Sequence, residues 1–170
     1  RESMYNEKDR IGPWIYDMEI LGFNYRITNF QAALGISQLK KIDLFKMRRR
    51  KIVNYYNEHF SKIEELILPY EDKSVNSNFH LYVLQVKENP NFDRYDLFTY
   101  LRSKDYLPMV HYIPVHLLSY YKNLYGLKRG DFPVAEKFYD RAISIPLYPS
   151  LSDAEVEKVV KDITIFVESY

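Results

Sequence analysis

Gly22-Phe23-Asn24-Tyr25-Arg26-Ile27-Thr28-Asn29-Phe30-Gln31-Ala32-Ala33-Leu34-Gly35 takes a polar loop straight into an almost wholly apolar stretch. Thr28 and Gln31 stand at capping-box spacing, so a helix is expected to start here and to run to about Phe60. In its first part Phe30, Ala32, Ala33, Leu34, Ile36 and Leu39 leave little polar circumference, which calls for cover on several sides. From Lys40 onward Ile42, Phe45, Ile52, Tyr55, Tyr56 and Phe60 alternate with Lys and Arg. The pattern turns amphipathic, and the helix is expected to change environment or bend near Asp43.

Upstream, residues 1–27 carry Gly12, Pro13 and Gly22 among aromatics with no sustained period, and read as an irregular arm. Downstream, past Pro69 and the polar stretch 71–78, short apolar runs alternate with amphipathic segments. Strands are expected at 80–86, 108–113 and 143–147, and helices at 94–104, 117–125, 133–142 and 153–167. The last helix is capped by Ser152 with Glu155 at the capping-box position. Pro146 and Pro149 force the end of the third strand out of the sheet or onto an edge. The expected organisation is an arm over 1–27, a long linking helix over 28–60 and a small α/β domain over 61–170, with one face of its sheet covered.

The 170 residues are 46% hydrophobic, enough for a real core. Lys and Arg number 24 against 23 Asp and Glu, a net charge of +1 that is too balanced for a nucleic-acid footprint. No cysteine is present, which removes disulfides and thiolate metal sites and fits a reducing cytoplasm. No segment has the length of an uninterrupted membrane span or the look of a signal peptide, so the chain reads as soluble. Beginning at Arg1 in a polar stretch, it looks like a piece excised from a longer protein.

Two segments carry groups with chemistry. The loop before Thr28 presents backbone amides and a helix dipole to which the Asn24 amide and the Arg26 guanidinium can add directed hydrogen bonds, a setting that suits phosphate. The plainer reading is a helix entry in which Asn24 stabilises a turn and Arg26 pairs with a carboxylate. Val110-His111-Tyr112-Ile113-Pro114-Val115-His116 ends a strand in two imidazoles and a phenol, groups able to exchange protons near neutrality. His111 and His116 are five apart and face opposite sides of a straight strand, against a two-histidine metal site. Here the plainer reading is that Tyr112 packs and His111 is a satisfied polar residue. The basic run from Lys46 to Lys51 reads as a solvated helix face rather than a phosphate grip. The 17 tyrosines, including the pairs at 55 and 120, discriminate nothing.

The Gly22–Gly35 segment resembles the G-x-N-x-R-x-x-x-x-Q-A-A-L-G segment of the DegT/DnrJ/StrS sugar aminotransferases. The Val110–His116 run is similar to that family's V-H-Y-x-P-x-H, and the blocks Phe132–Glu136 and Ile143–Ser152 resemble its closing helix, strand and turn. The resemblance covers nearly the whole chain. It implies the C-terminal small domain of a fold-type I transferase that uses pyridoxal 5'-phosphate (PLP), with the arm reaching from the large domain into the neighbouring subunit of a homodimer. By this resemblance Asn24 helps hold the PLP phosphate, Arg26 lies beside the site toward substrate, and His111 and Tyr112 border the substrate pocket. The implied activity transfers an amino group from glutamate to a nucleotide-linked keto-sugar. The Gly22–Lys41 and Val110–His116 stretches look closest to enzymes that aminate C4 of UDP-linked 4-keto-6-deoxy-HexNAc sugars.

The family's PLP lysine sits in an S-x-H-x-x-K segment, and nothing like it occurs here, nor do the sequences supplying the aspartate for the pyridine nitrogen. No catalytic residue is therefore assigned, and the chain alone is expected to be inactive and to hide its apolar helix by self-association. Two other classes remain open: a PLP-dependent sugar dehydratase of the same family, and a binding or dimerisation module that has lost its chemistry.

Overall fold

The computed structural model describes residues 20–170. Gly12, Pro13 and most of the expected arm lie outside the described residues. The chain divides into two compact units, with the boundary after Gln38.

In the first unit, residues 21–28 form neither helix nor strand and lead into α1 (Asn29–Leu39). The capping box expected there is present: the Thr28 amide donates to Gln31 Oε1 at 3.0 Å, and the Gln31 amide donates to Thr28 Oγ1 at 3.2 Å. No residue of α1 is buried, and Phe30 is 83% exposed.

The run expected as one helix over 28–60 folds as two. Lys40 and Lys41 form a turn, and α2 (Ile42–Phe60) starts after it with Asp43 in its first turn. Two cations beyond the carbonyl end of α1 and an acid at the amide end of α2 match the dipoles of a helix that stops and a helix that starts. The change expected near Asp43 is thus a break, two residues earlier.

The second unit, from Leu39 onward, is built on a three-stranded antiparallel sheet of order β1 (Leu66–Ile67), β2 (Tyr82–Val86), β3 (Ala142–Ile145). Helices α3 (Arg94–Ser103), α4 (Ser119–Tyr125), α5 (Pro133–Arg141) and α6 (Asp153–Glu168) complete it, with a 3-10 turn at Val115–Leu117. Directly opposed residues of neighbouring strands share a face. Tyr82 faces Ile145 and Leu84 faces Ile143, and this face carries the core together with Tyr56 and Phe60 of α2, Leu97 and Leu101 of α3, and Ile163 and Phe166 of α6. The opposite face carries Val83, paired with Ser144, and Gln85, paired with Ala142. Burial along β2 alternates accordingly, fully buried at Tyr82, Leu84 and Val86 and half-buried between them.

Two expectations are corrected, and one element was not foreseen. No strand runs over 108–113: Met109 alone pairs, with Ser144, through Met109 N to Ser144 O at 3.1 Å and Ser144 N to Met109 O at 2.7 Å. Pro108 and Pro114, on either side, carry no amide hydrogen, so a ladder could not continue through either of them. The two-residue β1 was not foreseen, being too short to show a period. The basic run on α2 is not a solvated face. Arg49 Nη1 donates to the carbonyls of Phe79 (3.1 Å), His80 (2.9 Å) and Leu147 (2.9 Å). Arg50 grips Glu71 with two hydrogen bonds, at 2.7 and 2.6 Å, and Arg48 and Lys51 share Asp153. These cations stitch loop ends to the helix. Elsewhere β3 stops at Ile145, immediately before Pro146, and Ser152 with Glu155 makes the expected box at the start of α6.

Candidate functional site

Asn24 and Arg26 belong to the first compact unit, His111 and Tyr112 to the second, and each pair has its own local geometry.

In the loop, Asn24 Oδ1 accepts the Arg26 amide at 3.2 Å, closing an Asx turn, and the rings of Phe23 and Tyr25 lie 5.6 Å apart. The turn uses the acceptor half of the Asn24 side chain and leaves its NH2 as the half to offer a ligand. The capping box engages the Gln31 amide, and the Ala32 amide donates to Thr28 O at 2.9 Å. The loop and the start of α1 also carry the amides of Asn29 and Phe30, the Asn24 NH2 and the Arg26 guanidinium. That set consists of donors only, two of them on backbone at a helix N-terminus, and it fits the phosphate group of PLP.

In the second unit the Met109 pairing delivers the chain to the reverse face of the sheet. His111 Nδ1 lies 2.8 Å from Ser144 Oγ, and Ser144 is 5% exposed. The Tyr112 ring stands edge-on to the His111 ring at 4.6 Å and is 73% exposed. Tyr112 does not pack within this unit, and the satisfied-histidine reading of His111 describes its Nδ1.

His116, at the far end of the segment, does something different. Its Nε2 lies 2.7 Å from Glu136 Oε1, with both side chains 7% exposed. Glu136, on the first turn of α5, also accepts the Gly130 amide at 2.9 and 2.8 Å and the Phe132 amide at 3.2 Å. Gly130 has φ 99°, a left-handed conformation that swings its amide onto the carboxylate. Burial pushes the Glu136 carboxyl up, but the Gly130 and Phe132 amides and His116 outweigh it and hold the group below the usual carboxylate range. The segment between His111 and His116 is thereby pinned at both ends, while Tyr112, Ile113 and Val115 face outward.

Ser144 and Glu136 were not singled out as functional residues from sequence. Their partners lie 33 and 20 residues away, and the one available hint was a serine between the isoleucines of an apolar strand. A further polar cluster was missed altogether: the Tyr106 hydroxyl donates to Asp162 Oδ2 at 2.8 Å, and Lys158 Nζ reaches the same oxygen at 3.0 Å. Among the described residues no group of three or more His, Asp or Glu is placed to hold a metal ion, and no helix is long and apolar enough to cross a membrane.

Comparison with known proteins places these features in a family. The profile of the DegT/DnrJ/EryC1/StrS aminotransferase family matches residues 6–164. The spore coat polysaccharide biosynthesis protein SpsC of Bacillus subtilis is 37% identical over 169 residues, covering 98% of this chain and 43% of SpsC. The UDP-4-amino-4,6-dideoxy-N-acetyl-beta-L-altrosamine transaminase of Campylobacter jejuni is 34% identical over 154 residues, covering 90% of this chain and 40% of the transaminase. Identity is thus higher to SpsC than to the transaminase group that the sequence resembled most in look. Among solved structures, Spr1654 of Streptococcus pneumoniae in its PLP form superposes with a TM-score of 0.83 at 28% identity, over 94% of this chain and 40% of that one. The small α/β domain matches the C-terminal part of such structures, and the chain spans about two fifths of the length of the relatives it matches. By the profile match over residues 6–164, this chain belongs to the DegT/DnrJ/EryC1/StrS aminotransferase family.

Proposed function

We propose that the chain is the C-terminal part of a PLP-dependent aminotransferase that moves an amino group from glutamate to a nucleotide-linked keto-sugar destined for a surface or cell-envelope polysaccharide. The observation that carries this reading is the family match over residues 6–164, which takes in the Asn24 loop and the His111 segment together. SpsC's role in spore coat polysaccharide biosynthesis and the C. jejuni transaminase's altrosamine chemistry both support a sugar substrate. PLP, when bound, supplies the electron sink through which an amino acid and a keto-sugar exchange their amino group. The residues of this chain bind and orient. Asn24, with the amides opening α1, holds the cofactor phosphate, and Arg26 stands toward the substrate phosphates. His111 and Tyr112 form a wall of the sugar pocket. The arm over 1–27 serves the neighbouring subunit of a cytoplasmic homodimer, the stretch over 28–60 links it to the small domain at 61–170, and the lysine that carries PLP comes from outside this chain.

The narrower proposal is amination at C4 of a UDP-linked 4-keto-6-deoxy-HexNAc sugar. The test incubates the product of the complete reading frame with PLP, glutamate and that keto-sugar, and looks by mass for the amino sugar and 2-oxoglutarate. Turnover of a different nucleotide keto-sugar alone would remove the narrower proposal. A dehydrated product with no amine would turn the assignment to a sugar dehydratase, and no reaction with any nucleotide-linked keto-sugar would sink it. In parallel, the 170-residue chain treated with PLP and borohydride is expected to carry no pyridoxyl-lysine above a lysine-matched control. Stoichiometric labelling of one lysine would show that the chain holds its own PLP site.

A further inference from the structure

We infer that Ser144 is a positioning residue that fixes the tautomer of His111, so that His111 presents an Nε2–H donor to an oxygen of the bound sugar nucleotide. Ser144 lies in β3 between Ile143 and Ile145, whose side chains go to the core, and its own side chain points to the reverse face, where His111 Nδ1 lies 2.8 Å from its Oγ. A hydroxyl in so dry a place, 5% exposed, has to spend its hydrogen. Among the described residues, His111 Nδ1 is the hydrogen-bond partner of Ser144 Oγ, and no side-chain atom of Ser144 is left without one.

The direction of the bond follows. If Nδ1–H donated to Oγ, the Ser144 hydrogen would be stranded beside the apolar strand. If the Ser144 hydroxyl donates to Nδ1, both groups are satisfied and the ring proton is forced onto Nε2. The backbone makes the arrangement stiff. Met109 and Ser144 exchange both amide-to-carbonyl bonds, so the residue two before His111 is locked in register with the serine that orients it. At the other end the buried His116–Glu136 pair holds the segment. His111 is thus a donor whose ring is set by β3, beside the exposed Tyr112 hydroxyl. The ligand group that such a donor suits is an oxygen without a hydrogen to give away: a keto oxygen, a carboxylate or a phosphoryl oxygen.

The final step, contact with the sugar nucleotide, rests on the proposed function; the tautomer does not. The tautomer is read on the 170-residue chain labelled with 15N-histidine, from long-range proton–nitrogen spectra above neutral pH, with His111 assigned by its absence in His111→Gln. The expected result is the Nε2–H form in the wild type, a mixed population in Ser144→Ala and restoration in Ser144→Thr, with the resonances of the other three histidines unmoved as the check on folding. An Nδ1–H form in the wild type, or an unchanged His111 in Ser144→Ala, overturns the inference. The contact is read on the complete protein with its nucleotide sugar. His111→Gln and Ser144→Ala are each expected to raise KM about tenfold, the size of one lost hydrogen bond, and Ser144→Thr to recover it. If the tautomer shifts while KM stays put in both variants, His111 is held by Ser144 but does not touch the substrate, and that half of the inference falls.

Discussion

Helices α1 and α2 are separated by two lysines, yet α1 buries no residue and α2 buries Ile52, Val53, Tyr56 and Phe60. The richer helix in apolar residues is the one left uncovered. In α1, Phe30, Leu34, Ile36 and Leu39 are all more than half exposed and do not fall on one stripe. In α2 the buried residues recur along one stripe, which the sheet and α6 cover, while the arginines beside the stripe tie down loop carbonyls. Within the second unit, the helix that joins the core is the one whose apolar residues recur on one stripe.

The contrast is broken most directly by truncation. Tyr56 is fully buried, packs on Phe60 and Tyr82, and donates its hydroxyl to Pro146 O at 2.9 Å. Tyr56→Ala is expected to cost about 3–5 kcal/mol in urea unfolding of the chain, while Leu34→Ala stays within about 0.5 kcal/mol. A comparable loss from both would mean that α1 belongs to the same cooperative unit.

The buried His116–Glu136 pair gives the next effect, visible on the pH scale. The Glu136 carboxyl is depressed in the folded chain, so its contribution is complete above the ordinary carboxylate range and fades as pH falls through the lower folded value. The stability gap between wild type and Glu136→Gln should therefore be widest near neutrality and narrow in acid, measured by denaturant unfolding across that range. A gap that is constant with pH would remove Glu136 as the ionised partner.

Arg49 comes after it. Arg49→Met leaves the carbonyls of Phe79, His80 and Leu147 without their shared donor and is expected to cost about 2 kcal/mol. Arg49→Lys should recover only part, since an ammonium lacks the planar fork. Full recovery by lysine would show that charge alone matters there. The smallest effect sharpens the comparison between helices. Ser152→Ala, removing the cap of α6, should lower the stability of the second unit by about 1 kcal/mol, whereas Thr28→Ala, removing the same kind of cap from α1, should reduce far-UV helicity without moving the unfolding midpoint.

Helix starts were the most legible part of the sequence, because a cap is a local contract between residues three apart; both boxes read from it are present. The helices over the second unit and the second and third strands also fall where apolar periodicity put them, within a few residues. What the sequence concealed depends on distant partners. The stretch over 108–113 has the composition of a strand, but among the described residues it pairs through Met109 alone. The basic run of α2 looked solvated because the carbonyls it binds come from residues 79, 80, 147 and 151. For the candidate site, resemblance pointed to Asn24, Arg26, His111 and Tyr112, but nothing local revealed that Ser144 orients one histidine and Glu136 anchors the other.

The pairing of α2 with α6 has a consequence during synthesis. These helices pack against each other although Phe60, at the end of one, precedes Asp153, at the start of the other, by about ninety residues. At roughly 5–20 residues per second, a ribosome leaves the apolar stripe of α2 without its partner for on the order of 5–20 seconds. Val53, Tyr56 and Phe60 then sit in the open beside the nascent chain, and a chaperone that recognises short aromatic-aliphatic stretches has its window there, before α6 emerges.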